Sequence, residues 1–331
     1  MMDLKLAQSF ALIALNAQSS SNYMTNAKKV SLRAMAAAVI LEVYLEGWFT
    51  QTDNELTFRK EVLGQSSSTL YREAVLFPLL HNQAEVQGDL GWWLKKASML
   101  PKKKLKKFEI AMSDDLKAMN LLEEIPSLLG SDMYFDSAGV EMRVYRSSNG
   151  VYTSITENVR AEILEEGTVT DEVIGMLWLL RESGCMHDFF SGNELEQVNT
   201  RMHDLYRSNL WAKTLFQSRI HQGMALGIKR FLHMKSKFVK TYAGSSINFI
   251  FPVLERAQAV FIETEAWFDN SDARINAVLT RLQSYGHEVK VIEKGSIATL
   301  RIDNLLYDAI PHYVMMRVPI QGVRLVPKRP L

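Results

Sequence analysis

A catalytic reading of this 331-residue chain would have to start from Cys185, His187 and Asp188 in the stretch GCMHD. A thiolate nucleophile needs a base within hydrogen-bond reach, and close neighbours in sequence seldom turn toward one another, so the trio reads as packing. His203, His221 and His233 do not fall at the i, i+4 spacing that sets two metal ligands on one helix face. The stretch GSIAT from Gly295 lacks the lysine and the helix of a phosphate-binding loop, and Glu123–Glu124 and Glu165–Glu166 read as ordinary helix-end acids. The expectation is a protein that is not an enzyme and that uses no metal or cofactor. The remaining chemistry is basic: Lys95, Lys96, Lys102, Lys103, Lys104, Lys106 and Lys107, with no acid from the first to the last, directly after Trp92 and Trp93. Lysines beside tryptophans suit an anionic membrane surface, where the indoles sit at headgroup level and each lysine gains about 1 kcal/mol. The phosphates of a nucleic acid would attract the same lysines. A solvated helix face beside two core tryptophans accounts equally well for the composition.

These residues need a scaffold, and its centre is Ser31–Phe49, SLRAMAAAVILEVYLEGWF. Leu32, Met35, Ala36, Val39, Ile40, Val43 and Tyr44 recur three and four apart, and the alanines let other helices approach closely. Gly47 closes the pattern. Arg33 is the single charge near the start of this apolar helix. It is either an edge arginine with its head in water or an anion-binding arginine at the mouth of a pocket. A helix start also offers free backbone N–H groups, so a sulfate, phosphate or headgroup is expected near Arg33, held with Tyr23 or a lysine of 102–107.

Around this helix the pattern predicts helices over Leu4–Asn16, Ser66–Leu80, Leu90–Met99, Pro101–Leu122, Thr153–Glu165, Thr170–Glu182, Asn193–Ser208 and Asn209–Tyr242, with a further helical turn over Thr57–Leu63. Met133–Phe135 and Val140–Tyr145 flank Asp136–Gly139 as a short β-hairpin. From about Gly244 the period alternates between two and helical: strands over Ile247–Val253 and Ala259–Glu263, a helix over Ser271–Tyr285, a hairpin over Glu288–Ile302, and strands at Tyr313–Val318 and Val323–Val326. The expected fold is mainly α: a helical domain over 1–243 with a projecting hairpin near 132–146, then a small α+β domain or appendage over 244–331.

Hydrophobic residues make up 47% and charged residues 23% of the chain, which fits a folded globular protein and excludes wholesale disorder. The net charge of +1 makes any basic surface a local one. One cysteine leaves no intramolecular disulfide, and a reducing compartment fits best. No apolar run approaches the ~20 residues of a membrane span, and Leu6–Ala17 lacks the positive flank of a signal peptide. The expected location is cytoplasmic, with any membrane contact peripheral.

Four segments together resemble the Golgi phosphoprotein 3 family: LKLAQSFALIALNA, SLRAMAAAVILEVYLEGW, LKAMNLLEEIPSLLGSDMYFDSAGVEMRVYR and ENVRAEILEEGTVTDEVIGMLWLLRESGCMHDFF. The likeness covers roughly Leu4–Asn209 and suggests a bacterial or otherwise divergent member. It implies a helical core with a projecting hairpin that contributes to self-association. It also implies a peripheral adaptor that binds phosphatidylinositol 4-phosphate and, in eukaryotes, retains glycosyltransferases in the Golgi. Arg33 matches the family's phosphate-contacting arginine on the central helix. The family's pocket tryptophan has no counterpart, and Tyr23 is the aromatic in that loop. Where the family carries further arginines this chain has IAMSDD, Ile110–Asp115, so Lys102–Lys107 would have to substitute.

The resulting expectation is a non-enzymatic peripheral membrane protein and adaptor that binds anionic lipid headgroups, phosphoinositides among them, through Arg33, Tyr23, Lys102, Lys103, Lys104, Lys106 and Lys107. Trp92 and Trp93 would touch the membrane, and Met133, Tyr134, Phe135, Val144 and Tyr145 would join two copies in a homo-oligomer. The partners are an anionic lipid and a protein client, with nucleic acid disfavoured. The alternative is a soluble interaction or regulatory protein whose basic face binds a protein or nucleic acid.

Overall fold

The computed structural model describes residues 4–53, 55–62, 69–80, 86–138, 142–220, 240–241, 244–245, 259–264, 270–315 and 319–328. The fold is mainly helical, with small sheets in the helical part and a sheet-rich C-terminal region. The N-terminal helices are α1 (Leu6–Leu15), α2 (Asn26–Leu45), α3 (Leu70–Leu80), α4 (Leu90–Ser98) and α5 (Lys102–Ala118). The central helix α2 packs on α1, α3, α4, α5 and on α8 (Asp171–Ser183). Every residue from Ala34 to Leu41 is wholly buried, so the alanine-rich stretch is enclosed on all sides. The helix begins earlier than its apolar pattern, because the Thr25 hydroxyl accepts from the Lys28 N–H at 3.1 Å and caps it. It ends before Gly47, whose φ of +74° reverses the chain.

Thr57–Leu63 is not a helix. Phe49–Thr52 (β1) and Glu55–Phe58 (β2) pair antiparallel, with Gln87–Gly88 (β3) beside β2, and only Lys60–Val62 turns as a short 3-10 segment. Leu56 and Phe58 are buried in alternation with Glu55 and Thr57, the period of a strand. The expected cap at Ser66–Ser68 lies outside the described residues.

The expected hairpin is also redrawn. Its strands are Leu122–Pro126 (β4) and Arg143–Ser147 (β5), in register from Leu122 opposite Ser147 to Pro126 opposite Arg143. Met133–Ala138 is a helix, α6, and Val140 lies outside the described residues. The segment is held by carboxylates. Asp132 accepts from the N–H groups of Tyr134 at 3.0 Å and Phe261 at 2.6 Å, and Asp136 accepts from the Tyr285 hydroxyl at 2.7 Å and pairs with Arg281 at 2.5 Å. Those ties fold 127–138 back onto the C-terminal sheet. The other side of β5 carries backbone bonds to Ala17–Ser20, so this ribbon is built into the core and does not project.

Helices α7 (Asn149–Leu164), α8, α9 (Met186–Phe189), α10 (Gly192–Ser208) and α11 (Leu210–Gln217) complete the helical cluster. Residues 221–239, including His221 and His233, lie outside the described residues. The region expected as one helix to Tyr242 instead has the short strands Lys240–Thr241 (β6) and Gly244–Ser245 (β7). The expected strand Ile247–Val253 lies outside the described residues.

The last five strands are Val260–Glu263 (β8), Val289–Glu293 (β9), Ala298–Ile302 (β10), Leu305–Val314 (β11) and Ile320–Lys328 (β12). They form an antiparallel sheet in the order β8-β12-β11-β10-β9. Its core is separate from the helical one: α12 (Ser271–Ser284) buries Val278 and Leu282 against one face, where Leu128 and Leu129 also pack. The turn between β10 and β11 is Asp303–Asn304, both at positive φ, a two-residue hairpin turn. This turn ties sheet to helices. Asp303 binds Arg146 at 3.0 Å and His287 Nδ1 at 2.5 Å, and the Asn304 amide donates to the Ser147 carbonyl at 2.9 Å. No helix among the described residues is long and apolar enough to cross a membrane.

Candidate functional site

The lysine run forms the corner between α4 and α5. On α5, Leu105, Phe108, Met112 and Leu116 are buried at helical spacing, which turns Lys103, Lys104 and Lys107 outward. Asp89 starts α4 by accepting from the Trp92 N–H at 2.6 Å, and Lys95 and Lys96 stand exposed in its last turn. Met99, between the two helices, is 61% exposed. Lys95, Lys96, Lys102, Lys103, Lys104 and Lys107 are all exposed and make no salt bridge among the described residues. Lysines suit the C-terminal end of α4, but the first turn of α5 holds three lysines and no acid, against the positive end of its own dipole. The link between the two helices is therefore flanked by basic residues on both sides and carries one exposed thioether.

Lys106 does not belong to that face. Its ammonium turns inward to the carbonyls of Ser20 at 3.4 Å and Ser21 at 3.2 Å and to Glu109 at 3.2 Å. It joins a buried network that sequence reasoning missed. Lys28, 1% exposed, pairs with the wholly buried Glu109 at 2.8 Å and donates to the carbonyls of Ser19 at 2.6 Å and Ser21 at 2.9 Å. The Tyr145 hydroxyl donates to the same carboxylate at 3.2 Å. Burial pushes the Lys28 ammonium below its ordinary pKa although Glu109 pulls it back. The sequence signal for it is slight: Lys28 and Lys29 precede an apolar stretch and carry no mark of which one turns inward. Together the two lysines pin the loop that carries Tyr23 next to α5, and Tyr23 itself is 73% exposed.

Trp93 is a core residue and cannot touch a membrane: it is wholly buried, its indole N–H donates to the Leu56 carbonyl at 3.1 Å, and its ring meets Phe49 edge-on. Trp92 is half-buried; its ring lies on Gly88, where a Cβ would come within 2.8 Å, and Lys96 sits 5.2 Å from its centre. Arg33 stands about two turns into α2, away from the free N–H groups expected to assist it; it is half-buried, and burial lowers its pKa. Two cavities among the described residues, of about 250 and 420 Å³, are lined by none of Arg33, Tyr23 or the lysines. The structure thus leaves six lysines and Met99 exposed on α4, α5 and the link between them and ties Tyr23's loop to α5, without drawing Arg33 into a shared pocket.

Of the residues expected at a subunit contact, Tyr145 is buried inside the protein, whereas Tyr134 and Phe135 are exposed on α6 and Met133 and Val144 are half-buried. Cys185 is wholly buried at the start of α9. No group of three or more metal-binding side chains occurs among the described residues. Compared with models of protein families and with curated proteins, the chain has no match.

Proposed function

We propose that this protein docks peripherally on anionic membrane surfaces through the α4–α5 corner and acts there as a non-enzymatic adaptor. The observation that carries the reading is the set of six exposed lysines on α4 and α5 that make no salt bridge among the described residues, three of them opposing their own helix dipole. At about 1 kcal/mol for each lysine near an anionic bilayer, the set suffices for reversible docking. Neither described cavity is lined by these lysines, which favours many weak phosphate contacts over one enclosed headgroup. The likeness to the Golgi phosphoprotein 3 family supports an adaptor role and a protein client, and phosphoinositides fall within the anionic class.

Vesicle co-sedimentation tests this. The protein should pellet with phosphatidylserine-containing vesicles and remain in solution with phosphatidylcholine alone. Binding should fall as salt rises from about 10 to 150 mM, where the screening length shrinks from about 30 to 8 Å. Tighter binding to DNA than to the anionic vesicles at matched salt would favour the soluble regulatory alternative.

A further inference from the structure

The cavity of about 420 Å³ lies on the C-terminal sheet, apart from the lysine corner, and is lined by Asp132, Tyr134, Phe261, His312, Tyr313 and Arg324 among others. Its size falls within the range of small-molecule sites, about 300–1,000 Å³. Its aromatic content follows from the strand register. Phe261 on β8 stands opposite Arg324 on β12, and Gly322, the next-but-one residue, stands opposite His312 on β11. A Cβ at Gly322 would meet the Phe261 ring at 2.7 Å and the Ile262 carbonyl oxygen at 2.2 Å, so only glycine lets that ring lie flat across the strand. The buried Phe261 ring meets His312 edge-on at 6.0 Å, and His312 lies near-parallel to Tyr313, their planes 29° apart. Tyr313 is 54% and Tyr134 49% exposed, so both rings have free faces at the cavity.

The charge at this cavity is of both signs, but the two differ in what they are tied to. Asp132 is the carboxylate in the lining, and its two oxygens already accept the Tyr134 and Phe261 N–H groups. Arg324 is exposed and makes no ion pair among the described residues. Among the described lining residues the cation is one guanidinium, beside a cluster of rings and with the exposed Glu263 further along β8.

We propose that this cavity binds a mononucleotide: a flat base stacked on the Tyr313–His312 rings and a single phosphate taken by Arg324. Stacking on aromatic side chains accepts any base, and a guanidinium forks onto phosphate oxygens. A nucleic-acid strand needs a cation for each successive phosphate, and among the described residues the lining offers Arg324 alone, with the exposed Glu263 beside it. The inference is independent of the membrane reading and uses none of its residues.

The test is a fluorescence titration of the full chain with mant-labelled AMP. Saturable binding with a Kd below about 1 mM is expected. Adenosine and ribose 5-phosphate, each carrying half of the recognised chemistry, should compete at least about tenfold less well than AMP. Arg324→Gln and Tyr313→Ala alter exposed side chains, and each should weaken binding about tenfold with unchanged melting temperature. Glutamates at Lys102, Lys103 and Lys104 should leave it unaltered. Absence of saturable binding, equal affinity in both variants, or tighter binding of a single-stranded oligonucleotide at matched salt would overturn the assignment.

Discussion

Lys28 shows how one residue can be indispensable to structure while resembling an ordinary surface charge. It enters a space with Glu109, Tyr145 and the carbonyls of a loop, and every charge there is met. Removing one partner of such a pair strands the other in low dielectric, so Lys28→Met should cost about 3–5 kcal/mol in urea unfolding. Tyr145→Phe removes one hydrogen bond to a charged group and should cost about 1.5–3 kcal/mol. Lys106→Met, at a half-buried site with carbonyl partners at 3.2 Å and beyond, should cost less than either. If Lys28→Met left stability unchanged, the pair would contribute nothing to the fold. Arg33 differs in kind, because burial already disfavours its charge and it stands clear of the helix end.

At the level of elements, α5 sets its buried stripe against an unfavourable first turn. Its buried stripe makes it a helix, while Lys102, Lys103 and Lys104 in its first turn work against the dipole. Replacing these three with glutamate turns three unfavourable interactions into favourable ones, each worth about 0.3–1 kcal/mol. The triple variant should therefore melt at the same or a higher temperature than the parent, and a marked fall would mean the lysines are structural. Elements like α5 were legible because local signals agree: Pro101 before it, Asp89 before α4, Gly184 in a left-handed conformation after α8, and apolar residues at helical spacing. The C-terminal hairpin was legible for the same reason. Met133–Phe135 was not, because three apolar residues fit either period and the deciding contacts, Asp132 to Phe261 and Asp136 to Arg281, come from residues more than a hundred positions away. Trp93 and Trp92 are adjacent in sequence, so composition could not tell the buried ring from the half-buried one. The lysine face was visible as composition, but the inward turn of Lys106 depends on where the loop at Ser20 lies.

Across the whole molecule, charge pairs connect the parts and set its response to acid. Burial works against the Glu46 and Glu194 carboxylates, yet Arg72 with Lys5, and Arg160 with the Ser191 N–H, outweigh it and hold both below the usual carboxylate pKa. Lys117 lowers Glu124 in the same direction. A carboxylate depressed in the folded state stabilises fully above its unfolded pKa, about 4.3. That contribution disappears as pH falls through the lower folded values. Stability measured by urea unfolding should hold to about pH 5 and then decline, and Arg160→Met should flatten part of the decline by releasing Glu194. An acid limb identical in the two proteins would remove that pair from the explanation. The central claim is that the α4–α5 corner docks the protein on anionic membranes, and flotation of the Lys102→Glu/Lys103→Glu/Lys104→Glu variant with phosphatidylserine vesicles tests it most directly. The account predicts that this variant, folded and at least as heat-stable as the parent, stays at the bottom of the gradient while the parent floats. Equal flotation of the two would contradict it.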